Sequence, residues 1–147
     1  MRPTVTLLAL LSLATLAVAC GPATTTPPKL AVVGTWSDGY GDTDTITQST
    51  WRVSGNGSDE TDTIVSFDNS KREAIIQTPA SAKYNPDTFS KNLWTQPTAA
   101  GDWWLCTVDY GEKTAAAALN TTKTADQSHP DQGGCGSYPW SHMTSAK

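Results

Sequence analysis

Three cysteines, two histidines and a few clustered carboxylates are the residues of this 147-residue chain whose types suit chemistry. Nucleophilic catalysis needs a base within reach of the nucleophile and a third group to orient that base. Both histidines, His129 and His142, fall in the C-terminal segment, and no serine sits in a GxSxG elbow. Zinc wants closely spaced ligands, but around Cys106, His129, Cys135 and His142 there is no CxxC or HxxxH spacing. Asp38, Asp42 and Asp44 surround a glycine-bearing loop with oxygens that suit calcium, yet the EF-hand spacing and its closing glutamate are missing. A solvated acidic turn accounts for them, and solvation likewise accounts for Asp59, Glu60 and Asp62 beside a hairpin turn. No catalytic residue, metal or cofactor is therefore expected, and the chain does not read as an enzyme.

Cys20 belongs to a different chemistry. Arg2 precedes an apolar run from Val5 to Val18 broken only by Thr6, Ser12 and Thr15, which is the pattern of a secretory h-region. Even counted from Pro3 to Cys20 the stretch is shorter than the roughly 20 apolar residues of a spanning helix. Ala17-Val18-Ala19 satisfies the small-x-small rule, so residues 1–19 read as a signal peptide removed before Cys20. The same residues resemble the lipobox of bacterial lipoproteins, in which leucine typically stands three residues before the cysteine; here Ala17 holds that place and Leu16 precedes it. The resemblance implies acyl chains on the thiol and amine of Cys20 and attachment to the membrane through them. With Gly21 rather than Asp following, it also implies export to an outer membrane. Since each buried CH₂ contributes about 0.8 kcal/mol, two chains make such an anchor effectively permanent. Residues 20–29 carry proline, threonine and alanine without apolar periodicity, as a flexible tether does. With Cys20 acylated, Cys106 and Cys135 remain, and in an oxidising compartment they are expected to pair.

Residues 30–147 suffice for one domain with a modest core. Loss of Arg2 with the leader leaves the chain acidic, with 14 Asp and Glu in all against fewer basic residues. No Lys/Arg cluster is longer than Lys71-Arg72, so a nucleic-acid partner is not expected. Six tryptophans lie in short runs flanked by Thr, Ser, Gly, Asn and Asp, which favours strands. Strands are expected at Leu30–Trp36, Asp42–Gln48, Thr50–Ser54, Thr61–Asp68, Glu73–Thr78, Phe89–Gln96 and Asp102–Tyr110. The second alternates strictly, with Asp44 and Ile46 on one face and threonines on the other. The last is apolar on both faces at its start: Trp104, Cys106, Val108 and Tyr110 share one, Trp103, Leu105 and Thr107 the other. Thr114–Leu119 suits a short helical turn, and the polar stretch Asn120–Gly136 would fray unless held. The Cys106 to Cys135 bridge is the restraint, with Tyr138 and Trp140 as apolar plugs behind it. The expected fold is all-β: a small antiparallel β-barrel or sandwich, with a short helical turn and an irregular, disulfide-tethered C-terminal segment.

Gly34-Thr35-Trp36 resembles the GxW signature of calycins, the barrel class of lipocalins and avidins. That resemblance implies a tryptophan closing one barrel end and an interior holding a small ligand; a core tryptophan after a tight glycine explains the same residues without any ligand. FSKNLWT, WWLC and GGCGSYPW together resemble a group of small bacterial lipoproteins, which implies a shared fold and an envelope location and attaches no activity. The expectation is a lipid-anchored cell-envelope protein displaying a Trp-rich β domain for binding an envelope protein or glycan. The alternative is a calycin-like carrier holding a small apolar ligand against Trp36, Trp51 and Trp104. A carrier needs an open cavity lined by those rings, whereas an interaction module packs them as core and shows aromatics outside.

Overall fold

The computed structural model describes residues 27–146. Its strands are β1 (Gly34–Ser37), β2 (Asp42–Ile46), β3 (Thr50–Gly55), β4 (Ser58–Asp68), β5 (Glu73–Gln77), β6 (Phe89–Trp94), β7 (Trp103–Glu112) and β8 (Ser141–Ser145). Each pairs antiparallel with the next, and β8 pairs back onto β1, so the sheet is a closed eight-stranded barrel. Closure leaves no unpaired edge to template aggregation. Of the two expected architectures the chain adopts the barrel.

Local chemistry explains two of the hairpins. Between β3 and β4, Gly55 pairs with Ser58 across Asn56-Gly57, whose φ values of 37° and 82° suit a two-residue turn with the strands' own twist. Asp68 turns the chain from β4 to β5 by accepting from the backbone N–H groups of Ser70 and Lys71. In β2 and β3 the faces follow the alternation legible in the sequence, with Asp44 and Ile46, and Trp51 and Val53, turned inward, and β4 carries a bulge between Ile64 and Ser66.

Two departures from expectation have physical causes. The run Leu30–Trp36 enters the sheet only at Gly34, because Leu30 and Val32, each 1% exposed, turn into one end of the barrel as a plug. The eighth strand, SHMTS, was not expected at all: it offers one inward apolar residue, Met143, and acquires its strand character by pairing with Trp103–Leu105 and Trp36–Ser37.

The interior is filled by tryptophan. Trp51, Trp94 and Trp103 are fully buried with Ile46, Ile64, Ala74, Ile76 and Met143, and Trp36 packs against them. Trp103 meets Trp36 edge-on at 5.5 Å and Trp51 at 6.3 Å, the offset geometry that aromatic quadrupoles favour. The Trp36 ring lies back over Gly34, where an added Cβ would come within 3.1 Å of it, and its Nε1 donates to the Val32 carbonyl.

A second core lies outside the barrel wall. On the outer face of β7, Cys106 and Val108 are buried under Trp140, with Leu93, Trp104, Ala125 and Cys135 around them. The Cys106–Cys135 disulfide, with Cα atoms 5.6 Å apart, ties the C-terminal segment to this face. Lys123 reinforces it by pairing with the buried Asp109 carboxylate at 2.5 Å. Trp140 thus packs as expected of a plug, whereas Tyr138 does not: it is 71% exposed. The short helix α1 (Ala115–Leu119), capped by the Thr114 hydroxyl, packs on β5, β6 and β7, with Ala118 fully buried.

Candidate functional site

The two ends of the barrel differ in construction. At one end residues 29–33 form a strap: Leu30 N–H donates to Gln48 Oε1, Ala31 N–H to Asn69 Oδ1, and Asn69 Nδ2 donates back to the Lys29 carbonyl. These bonds, with Leu30 and Val32 inserted, seal that end. The opposite end carries the β1–β2, β3–β4, β5–β6 and β7–β8 connections and is built of polar residues.

All four tyrosines of the chain lie in or beside the connections of this loop end. Tyr40 is in the β1–β2 turn, Tyr84 in the β5–β6 connection, Tyr110 near the end of β7 and Tyr138 in the approach to β8. Each is more than half exposed, from 61% to 71%. Contacts join these connections in two pairs. Asn56 Nδ2 donates to the Tyr40 carbonyl, joining the first turn to the β3–β4 turn. A Cβ placed on Gly111 would come within 3.3 Å of Asn85 Oδ1, so the end of β7 abuts the β5–β6 connection.

Between the β3–β4 turn and the β5–β6 connection runs a groove of about 780 Å³. Asn56, Ser58, Glu60 and Thr61 form one wall, and Pro79, Ser81, Lys83 and Tyr84 the other. The second wall is an eleven-residue connection without regular structure, which would be costly to order unless pinned. It is pinned: Thr78 N–H donates to the Thr88 carbonyl, Ala82 N–H to the Pro79 carbonyl, Thr88 Oγ1 to the Asn85 carbonyl and Gln77 Nε2 to Asp87 Oδ1. On the other wall Arg52 pairs with Asp59 at 2.9 Å.

Inside the barrel towards the same end the register gathers acidic side chains. Asp44 faces Val53, which faces Glu60, and Trp51 lies opposite Asp62. None of Asp42, Asp44, Glu60 and Asp62 has a basic partner within 4.0 Å among the described residues. Burial pushes the Asp44 carboxyl up to about 6, against the pull of Trp51 Nε1, which donates to it at 2.5 Å; the nearby Asp38 and Asp42 add to the rise. Burial, with help from Glu60, raises Asp62 to about 7. Asp38 itself belongs to the turn, accepting from the N–H groups of Tyr40 and Asp42.

The residues singled out in the sequence are distributed as follows. Trp36 and Trp51 both touch Trp103 in the interior, but Trp104 faces outward, stacked on His142 with ring centroids 4.3 Å apart. The three rings therefore do not line one space, because adjacent residues of a strand point to opposite sides. Cys106 and Cys135 are joined. Cys20, the expected signal peptide and most of the expected tether lie outside the described residues. His142 Nε2 stands 3.7 Å from Asp102 Oδ2, a pairing that includes no nucleophile. Among the described residues, no group of three His, Cys, Asp or Glu side chains could hold a metal ion. The loop-end tyrosines and the groove were missed by sequence reasoning. A signal existed: every tyrosine stands next to Gly, Pro, Asn or Asp, in DGYGD, KYNPD, DYGE and SYPW, residue types that mark turns and strand ends. Compared with protein-family models, with curated proteins and with solved structures, the chain has no match.

Proposed function

We propose that this chain is a lipid-anchored cell-envelope protein whose barrel is a binding module, presenting the loop end away from the membrane. The observation that carries the reading is the division of aromatic residues: tryptophans fill the interior, and all four tyrosines are exposed in or beside the connections of one end. Tyrosine offers large contact area, few rotatable bonds and a hydroxyl, which is why it is favoured where a protein meets a partner. The tether supports the orientation, since Lys29 and Leu30 enter at the sealed end. Acylated Cys20 would hold that end towards the bilayer.

The packed lumen favours this reading over carriage of an apolar ligand. Trp51 and Trp103, which a carrier would turn towards its cargo, are 2% and 0% exposed and pack with Trp36. Two measurements test the proposal. Cys20→Ser should abolish labelling by a fatty-acid probe and move the protein from the membrane pellet to the soluble envelope fraction; retention in the pellet would remove the anchor. A photo-crosslinking residue at position 84 or 40 should form discrete adducts in intact cells, and the same residue at the barrel-wall position Val65 should not. Equal labelling at all three positions would remove the binding surface.

A further inference from the structure

We propose that the groove between the β3–β4 turn and the β5–β6 connection is a binding site for a neutral oligosaccharide. The inference rests on the reading of the loop end as the binding surface and specifies its ligand.

Asn56, Ser58, Ser81, Lys83 and Glu60 supply donors and acceptors at short intervals along a groove that holds one exposed aromatic ring, Tyr84, at 70% exposure. An apolar ligand would strip water from these groups without replacing their hydrogen bonds, at a cost for each one left unpaired. A strongly charged ligand fares little better, because the charges on the walls oppose one another. Asp59 pairs with Arg52, and of the other two charged side chains that line the groove Glu60 is negative and Lys83 positive. A polyhydroxylated ring matches both features. Its hydroxyls exchange hydrogen bonds with the amide, hydroxyl and charged groups, and its C–H face covers the tyrosine ring. The Lys83 ammonium, 5.0 Å from the centroid of Tyr84, helps to hold that ring in place.

Size and rigidity agree. About 780 Å³ lies within the range of small-molecule sites and accommodates several linked sugar units rather than one. The backbone bonds that pin residues 78–88, and the tight Asn56-Gly57 turn opposite, fix both walls before the ligand arrives. Little ordering entropy remains to be lost on binding.

Saturation-transfer NMR of the purified full chain with chitotetraose, cellotetraose, maltotetraose and, as a charged comparison, a lysine pentapeptide tests the proposal. The expected result is transfer to at least one tetrasaccharide. Tyr84→Ala should weaken that binding roughly tenfold, as loss of an aromatic contact does. Glu60→Gln should weaken it less, and Val65→Ala, on the barrel wall outside the groove, should leave it unchanged, with thermal melts confirming that each variant is folded. Transfer to none of the tetrasaccharides, binding of the lysine peptide alone, or sugar binding that survives both Tyr84→Ala and Glu60→Gln would overturn it. The crosslinks from position 84 then separate two failures. Discrete adducts without sugar binding remove the oligosaccharide and keep the binding surface, whereas loss of both removes both.

Discussion

At the scale of single residues the barrel contains a pH dependence whose sign follows from its buried acids. Asp44 and Asp62 hold their protons up to about 6 and 7 in the folded chain, against 3.8 ordinarily. Between those values the native state binds protons that the unfolded chain has released, so stability falls as pH rises through that window. Below it the sign reverses. Asp68, accepting from Ser70 and the Lys71 N–H, and Asp126, accepting from Ser128, are held under the usual carboxylate range, and their contribution is lost in stronger acid. The melting temperature should therefore be highest near pH 4 to 5 and several degrees lower at pH 8. For Asp44 the shift corresponds to at most about 3 kcal/mol, less after allowance for residual solvation. Asp62→Asn should stabilise the protein at pH 8 and flatten the slope; an unchanged profile would mean that Asp62 is ionised without penalty. Gly34→Ala tests packing at the same scale. Its methyl would meet the Trp36 ring, which is held by Trp103 and the Val32 carbonyl, so a loss of about 1–3 kcal/mol is expected in urea denaturation.

At the scale of elements, the C-terminal segment is held to the barrel by few devices, and each can be removed in turn. The Cys106–Cys135 bond closes a loop across 29 positions. In the chain-entropy picture that contributes roughly 3.5 kcal/mol. The Cys106→Ser, Cys135→Ser double variant should lose about this much, and trypsin should then cut after Lys123 faster than in the oxidised protein. Trp140→Ala empties the centre of the outer core and should cost about 3–5 kcal/mol, comparable with Trp103→Ala inside the barrel. A cost below 1 kcal/mol for Trp140→Ala would show that the segment is docked by the disulfide alone. The eleven-residue β5–β6 connection follows the same logic. Thr88→Val removes the hydroxyl that reaches the Asn85 carbonyl, and should loosen the groove wall with less effect on the melting temperature than either tryptophan variant.

At the scale of the whole molecule, the closing contact joins the two extremities of the domain. β1 begins at Gly34 and β8 ends at Ser145, and their pairing shuts the sheet. Contacts so distant in sequence are late and entropically expensive to form. Removing residues 141–147 should leave β1 and β7 with open edges and give an aggregating chain rather than a smaller barrel, which size-exclusion chromatography would show. The same closure separates a sealed end, where Lys29 and Leu30 enter, from a loop end whose connections carry or adjoin every tyrosine. Under the proposed function, attachment belongs to the first of these ends and binding to the second.

How far the sequence determined this protein depends on the range of the interactions involved. Alternation in DTDTI and the Asn56-Gly57 turn were legible because strand and turn propensities are set by neighbours a few residues away. The disulfide pair was legible by counting cysteines, and the opposite faces of Trp103 and Trp104 by alternation, although which face was the interior was not. Other features had no local signal. SHMTS is a strand only because β7 and β1 both lie beside it, and Leu30 and Val32 leave their β-branched run because the barrel end needs filling. The acids of β2 and β4, which read as solvated turns, share an interior only through the register of β3 between them. The groove depends on two hairpins that meet at one end of a closed sheet. Tertiary structure decided these features because each depends on residues distant in the chain, whose proximity exists only once the barrel is closed.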